Sequence, residues 1–261
     1  MSDVVPGVQI AESDQSLSIK FDDYDRRNPI TVDVRLAVME ALSRRRKDTK
    51  CVVFSGSGGV FSSGGDLSSM PPDSNWASDV RMRVVGAFIQ SVMELPLPTI
   101  AAVEGPAAGA AVGLVAGCDF VVASEESSFH LPFSKLGLFP DGGILSTLAQ
   151  RVGAAQSRRL LICGSKLDSV EAYRLGLVDE LVPSGSSLDR ALEIAKLMSH
   201  RSPNSIQSIK ETLLEGVPSL EFVLRSEVWR QRKCFTHPDF SEGRAAFFDR
   251  REPVFGPLGS V

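Results

Sequence analysis

The sequence predicts an α/β fold with a helical C-terminal region, and three observations carry that expectation. Short runs rich in Val, Ile and Phe recur through the first two-thirds of the chain, each too brief for a helix, and two of them run into a turn rich in glycine. Segments between them repeat their apolar residues with a helical period. Near residue 184 the strand-like runs stop and only helical patterns continue, which divides the chain into an α/β core at 1–184 and a helical region at 185–261.

Taken in order, Leu17 to Phe21 alternates apolar and polar residues as a half-buried strand does. Thr31 to Arg46 places Val34, Val38, Ala41 and Leu42 on one helical face, and its basic end, Arg44 to Lys47, suits the negative pole of the helix and reads as a solvated surface. Cys51 to Phe54 is a buried strand that opens into the glycine-rich loop 56–65. After the break at Pro71-Pro72, a helix is expected from about Trp76 to Met93. Ile100 to Val103 is a second strand, followed by a turn at 105–109 and a tightly packed helix from Gly109 to Gly117. Phe120 to Val122 is a third strand. Phe129-His130-Leu131-Pro132 is a short one, and Pro132 argues against a central place for it in a sheet.

Asp168 to Glu171 has the spacing of a capping box and opens a helix ending near Gly176. Val178 to Val182 is the last strand. Helices then follow at 187–199, 203–215, 219–233 and 241–249, the second opened by Ser202-Pro203.

Composition narrows the function classes. The chain has 261 residues, 28 basic and 32 acidic, for a formal charge of −4, which is a poor match for a nucleic-acid binder. The longest apolar stretch, 99–117, contains Glu104, Pro106 and four glycines, so it suits a core strand and helix better than a membrane span. Cys51, Cys118, Cys163 and Cys234 form no CxxC pair and the N-terminus lacks a secretory pattern, which points to a reducing, cytoplasmic setting. His130, His200 and His237 are isolated and carry no carboxylate cluster, so no metal site is expected; His130 reads as a structural histidine.

Two strand-to-helix turns carry the chemistry. FSSGGDL contains Ser62, Ser63, Gly64 and Gly65, and GPAAGAAVG contains Gly105, Gly109, Ala110 and Gly113. Glycine lets a backbone turn sharply and approach a ligand, and N–H groups freed at such a turn can face developing negative charge. Converging, the two turns make an oxyanion hole; separately, they are only tight turns. A phosphate loop is excluded because Gly64-Gly65 leads to Asp66, which reads as a helix cap, rather than to a lysine and hydroxyl pair.

Together the segments resemble the crotonase superfamily, the enoyl-CoA hydratase/isomerase family. The resemblance is carried by RRNPIT from Arg26, CVVFSGSGGVFSSGGDLSSM from Cys51, LPLPTIAAVEGPAAGAAVGLVAGCDFVVAS from Leu95 and SFHLPFSKLGLFPDGG from Ser128. It continues with GSKLDSVEAYRLGLVDELVP from Gly164 and DFSEGRAAFFDRREPVF from Asp239. It implies a spiral of β-β-α units, an acyl-CoA thioester as substrate, no separate cofactor, and a homotrimer or a hexamer joined through the helical C-terminal region.

The resemblance puts the oxyanion donors on the amides of Gly65 and Ala110, in a pocket with Ser63, Gly64, Gly109, Phe133 and Phe139. The two glutamates that manage water in the hydratases correspond to Gly113 and Phe133, neither of which transfers a proton. FHLPFSKLGLFPDGG instead looks like the Δ3,Δ2-enoyl-CoA isomerase branch, in which the carboxylate beside the two glycines is the base. Here it is Asp141, whose competing role is to cap the segment that follows. Phe133 and Phe139 would then keep the base dry, or simply pack the core.

Arg250 and Arg251, with Lys233 behind them, match the basic-aromatic segment that approaches CoA. Trp76, Met82 and Phe88 fall in an acyl-pocket or lid region, and Glu104 and Asp119 are placed to hold strand ends. The alternatives are hydration, hydrolysis or rearrangement of another CoA thioester on the same fold, and acyl-CoA binding without turnover.

Overall fold

In the computed structural model, residues 5–70, 75–214 and 216–259 are described. The chain opens on an antiparallel hairpin of β1 (Gly7–Ser13) and β2 (Ser16–Asp22). It then runs through α1 (Val32–Arg44), β3 (Cys51–Gly56), α2 (Asn75–Met93), β4 (Thr99–Val103), β5 (Pro106–Ala108) and α3 (Ala110–Gly117). Next come β6 (Phe120–Ser124), β7 (Ser128–His130), α4 (Ile144–Val152), α5 (Ala154–Cys163), β8 (Lys166–Asp168), α6 (Ser169–Leu175) and β9 (Glu180–Val182). Four helices close it: α7 (Ser187–Ser199), α8 (Pro203–Leu213), α9 (Leu220–Phe235) and α10 (Pro238–Asp249).

The strands form a six-stranded sheet, β1-β2-β3-β4-β6-β9, and a three-stranded sheet, β5-β7-β8. From β2 to β9 the large sheet is parallel. Parallel neighbours need crossovers, and here each crossover first lays a short extended piece beside the large sheet and then a helix. β4 is followed by β5 and α3, β6 by β7 and α4, and β3 by the bridged residue Ser62 and then α2. Isolated parallel bridges Pro29↔Gly64 and Ser62↔Ala107 continue the second layer. This is the repeated β-β-α spiral.

Side chains of the large sheet alternate between two cores, as the period of a strand dictates. Val52, Phe54, Ala101, Val103, Val121 and Ala123 join the main core with α1, α2 and α3. Their neighbours Cys51, Val53, Ile100, Ala102 and Val122 face Ala191, Ile194 and Ala195 of α7 on the other side. Although α7 lies beyond residue 184, it therefore covers a face of the sheet, and the freer helices begin at α8. Glu104 fixes its start by accepting from Gly185 N (2.9 Å) and Ser187 Oγ (2.7 Å). Asp119 ties β4 to the next strand by accepting from Thr99 N at 2.8 Å.

Local signals place several boundaries. Thr31 caps α1 by accepting from Val34 N, and Asp168 caps α6 by accepting from Glu171 N at 2.8 Å, with Gly176 in the left-handed conformation closing it. Asp66 caps only a 3-10 turn, Leu67–Ser69. The expectation about Pro132 is corrected: β7 is the central strand of the small sheet. Pro132 costs the ladder nothing because the strand ends at His130, two residues before it. His130 is tied at 2.9 Å to Ser128 Oγ.

Asn28 pins the loops that the site needs. Its fully buried side chain accepts from Asp23 N (2.9 Å) and donates to Ser57 O (3.0 Å) and Val60 O (2.7 Å), and its carbonyl accepts from Ser62 Oγ (2.7 Å). Ser62 Oγ in turn accepts from Gly64 N at 3.0 Å. Asn28→Ala leaves buried donors and acceptors unpaired, so a loss of about 3 kcal/mol is expected in urea unfolding. A change under about 1 kcal/mol would contradict this account.

Candidate active site

The spiral sets two amides side by side. Ser62 pairs with Ala107 in parallel register, and three residues further along each strand stand Gly65 and Ala110. Among the described residues neither of their N–H groups has a protein acceptor. Ala110 is the first residue of α3, where no preceding helical turn supplies one. Gly64 makes the close approach possible: at φ 83° it turns the chain, and a Cβ there would lie 2.3 Å from Ala108 O. Gly64 is buried behind the amides and does not line the cavity as expected.

A cavity of about 550 Å³ opens in front of Gly65 and Ala110. Ser63, Gly109, Phe133, Phe139 and Asp141 also line it, and α2 contributes Ser78, Arg81, Met82, Val85 and Gly86, one face of that helix. Phe133 is 5% exposed, with its ring tip 4.0 Å from where a Gly109 Cβ would sit. Phe139 lines the cavity as expected but is corrected as a shield or core residue: it is 79% exposed. Of the acyl-pocket candidates, Met82 lines the cavity and Phe88 turns into the main core; the side chain of Trp76 lies outside the described residues.

Asp141 is the one carboxylate among the described lining residues. The following Gly142 packs on α3, where its Cβ would lie 2.9 Å from that of Ala110, so the loop that carries the acid is seated against the residue that supplies the second amide. The cap of α4 is Gly143, with no side-chain bond, so the Asp141 carboxylate does not serve as a cap. Burial raises its pKa above the ordinary 3.8, and the positive charges of Arg35 and Arg81 oppose that rise.

The sequence reading missed both arginines. Arg81 lines the cavity and donates to Ser69 Oγ (2.9 Å) and Asp66 O (3.1 Å). Arg35 lies just behind Gly65 and is 2% exposed. The available signal was its spacing: Arg35, Val38 and Leu42 recur at i, i+3 and i+7, which puts a charge on a buried helix face. Arg250, Arg251 and Lys233 are exposed and none lines the cavity. Arg251 is engaged by Glu242 at 2.6 Å, which holds that carboxyl down at about 2.

Comparison with known proteins agrees with this architecture. The profile of the enoyl-CoA hydratase/isomerase family matches residues 12–257. The crystal structure of an enoyl-CoA hydratase from Polaromonas sp. JS666 superposes with a TM-score of 0.90 at 31% identity, over 95% of this chain and 99% of that one. The 2,3-dehydroadipyl-CoA hydratase of Escherichia coli K12 is 32% identical over 88% of this chain and 90% of its own. The 1,2-epoxyphenylacetyl-CoA isomerase of the same organism is 30% identical over 88% and 91%. Hydratases and isomerases thus both stand among the similar proteins. Among the described residues no helix is long and apolar enough to cross a membrane.

Proposed function

The chain belongs to the enoyl-CoA hydratase/isomerase family, and on that premise we propose that it is an isomerase converting a 3-enoyl-CoA into the 2-enoyl-CoA. The observation that carries the reading is one carboxylate facing two unpaired amides, in a cavity whose described lining holds no second acid. The thioester oxygen sits between the Gly65 and Ala110 N–H groups. Asp141 takes a proton from C2, and the electrons of that C–H bond move through the thioester to its oxygen, giving a dienolate. As the carbonyl reforms, the double bond shifts from C3–C4 to C2–C3 and Asp141 returns the proton to C4. The amides hold the oxygen while it is charged, each worth roughly 3 kcal/mol in comparable sites.

Hydration is the second reading, favoured by names among the relatives. It calls for a pair of acids to deliver water, and the positions matching that pair are Gly113 and Phe133. A Cβ on Gly113 would lie 2.4 Å from Gly142 O, so the backbone leaves no room for any side chain there. Product analysis separates the two readings: 3-enoyl-CoA is expected to be consumed to 2-enoyl-CoA, with 2-enoyl-CoA left unhydrated. Rapid formation of a 3-hydroxyacyl-CoA from 2-enoyl-CoA would sink the isomerase reading.

The base works ionised, so activity falls as pH drops through the Asp141 pKa. Burial lifts that pKa, and the acid limb of kcat/KM is therefore expected on the neutral side of 3.8. A pH–rate profile checks this, and a limb at or below 3.8 would contradict it.

The helical region leaves Val217, Leu220, Phe222, Val228, Phe247 and Phe248 exposed, more apolar surface than one copy keeps in water. This supports a homotrimer or hexamer built through α9 and α10. Sedimentation is expected at three or six times 28.1 kDa; a monomer at micromolar concentration would refute it. Arg250, Arg251 and Lys233 stand outside the cavity of their own chain, so contact with CoA would require a neighbouring subunit's cavity to reach them.

A further inference from the structure

Arg35 is a cation with no visible structural reason for its place. It lies on α1 with its side chain 2% exposed, no carboxylate of the described residues pairs with it, and its Nη1 has no hydrogen-bond partner. A buried unpaired guanidinium destabilises a fold, so packing alone does not explain it. Its position does. Nη2 stands 3.8 Å from where a Cβ on Gly65 would sit, and Nη2 of Arg81 stands 3.5 Å from the same point. Gly65 has no positive φ, and the side chains nearest that point are the two guanidiniums and Met70, whose Cε also stands 3.5 Å from it.

The charges that face one another here come from few elements. α1 supplies Arg35 and α2 supplies Arg81, while α3, beginning at Ala110, has no ionisable residue. Arg81 is already tied to Ser69 and Asp66. Burial and then the charge of Arg81 lower the Arg35 pKa to about 10, the charge of Asp141 opposing them, so Arg35 stays charged at neutral pH.

We infer that Arg35 is a positioning residue for the proton transfer, a fixed cation behind Gly65 that faces the Asp141 carboxylate before the transfer and the thioester oxygen after it. The inference rests on the dienolate reading. In that reaction one negative charge leaves Asp141 and arrives at the oxygen beside Gly65, and both places lie within the field of the same guanidinium. The site needs no new counter-ion as the charge moves, which is the arrangement that lowers a barrier without reorganisation. Burial raises the Asp141 pKa, and the charge of Arg35 opposes that rise.

The test compares Arg35→Met, Arg35→Lys and Asp141→Asn by pH–rate profile and by thermal melting. Arg35→Met removes the charge and keeps most of the bulk. Its kcat is expected to fall roughly 10- to 100-fold with KM within about threefold, and its acid limb to move to higher pH. Its melting temperature is expected to equal or exceed that of the wild type, since an unpaired buried charge has been removed. Arg35→Lys is expected to recover part of the rate and to return the limb towards the wild-type pH. A limb that stays put in Arg35→Met overturns the inference, as does a loss of folding, because either assigns Arg35 to structure. Should Asp141→Asn remain active, the isomerase reading itself fails; should Asp141→Asn be inactive while the Arg35→Met limb is unmoved, only the role of Arg35 fails.

Discussion

Asp141→Asn is expected to lower isomerisation of a 3-enoyl-CoA by about 10²- to 10⁴-fold, with KM changed only a few-fold. The amide keeps the shape of the side chain and cannot accept the C2 proton. Asp141→Ala is expected to fall at least as far. The rest of the pocket stays as it is, because the carboxylate caps no helix and the contact that fixes its loop, Gly142 on Ala110, is made by backbone and Cβ positions. Steady-state kinetics together with exchange of C2 hydrogen against deuterated solvent check this. Retention of both rates in either variant would remove Asp141 from the chemistry.

Gly113→Glu carries the second large effect. Restoring a glutamate at the position where the hydratases have one is expected to damage the fold and not to add hydration. The new Cβ would meet Gly142 O at 2.4 Å and Ile144 Cβ at 3.3 Å. Relieving that overlap means pushing α4 off α3, at about 3 kcal/mol or more, or roughly 10 °C in melting temperature. The same displacement carries Asp141 away from Ala110, so isomerisation is expected to fall too. A soluble, well-folded Gly113→Glu protein that hydrates 2-enoyl-CoA would show that the backbone yields more easily than its packing suggests.

Residues that signal locally were legible in the sequence. The strands around Val53, Ala101 and Val121 announce themselves by β-branched and apolar runs, and the helix starts at Asp168 and Ser202 by their capping residues. β5 and β8 did not, since three residues carry no periodicity and are strands only because β7 lies between them. α4 and α5 were also missed. The positive φ values of Gly142, Gly143 and Gly153 start and separate these two helices, and glycine carries no helical period to announce them.

The site divided in the same way. Gly65, Ala110 and Asp141 lie on motifs and could be named from them, and the fold brings all three to one cavity. Gly64 was misplaced, and Phe139 lines the cavity only at its exposed rim, because the motif carries no information on how deeply its neighbours are buried. Arg35 and Arg81 come from helices 46 positions apart, and no local pattern joins them. Their proximity exists only once α1 and α2 have crossed the same glycine.

The register between Ser62 and Ala107 makes the spiral a ruler for the substrate's carbonyl. Each donor follows its bridged residue by three positions, so the backbone of the two turns, and not the side chains around them, fixes how the donors stand relative to each other. Point changes in the pocket wall can therefore retune which acyl groups enter without moving the clamp. Adding or deleting a single residue between Ser62 and Gly65, or between Ala107 and Ala110, would slide one jaw past the other and leave every side chain intact around a grip that no longer closes.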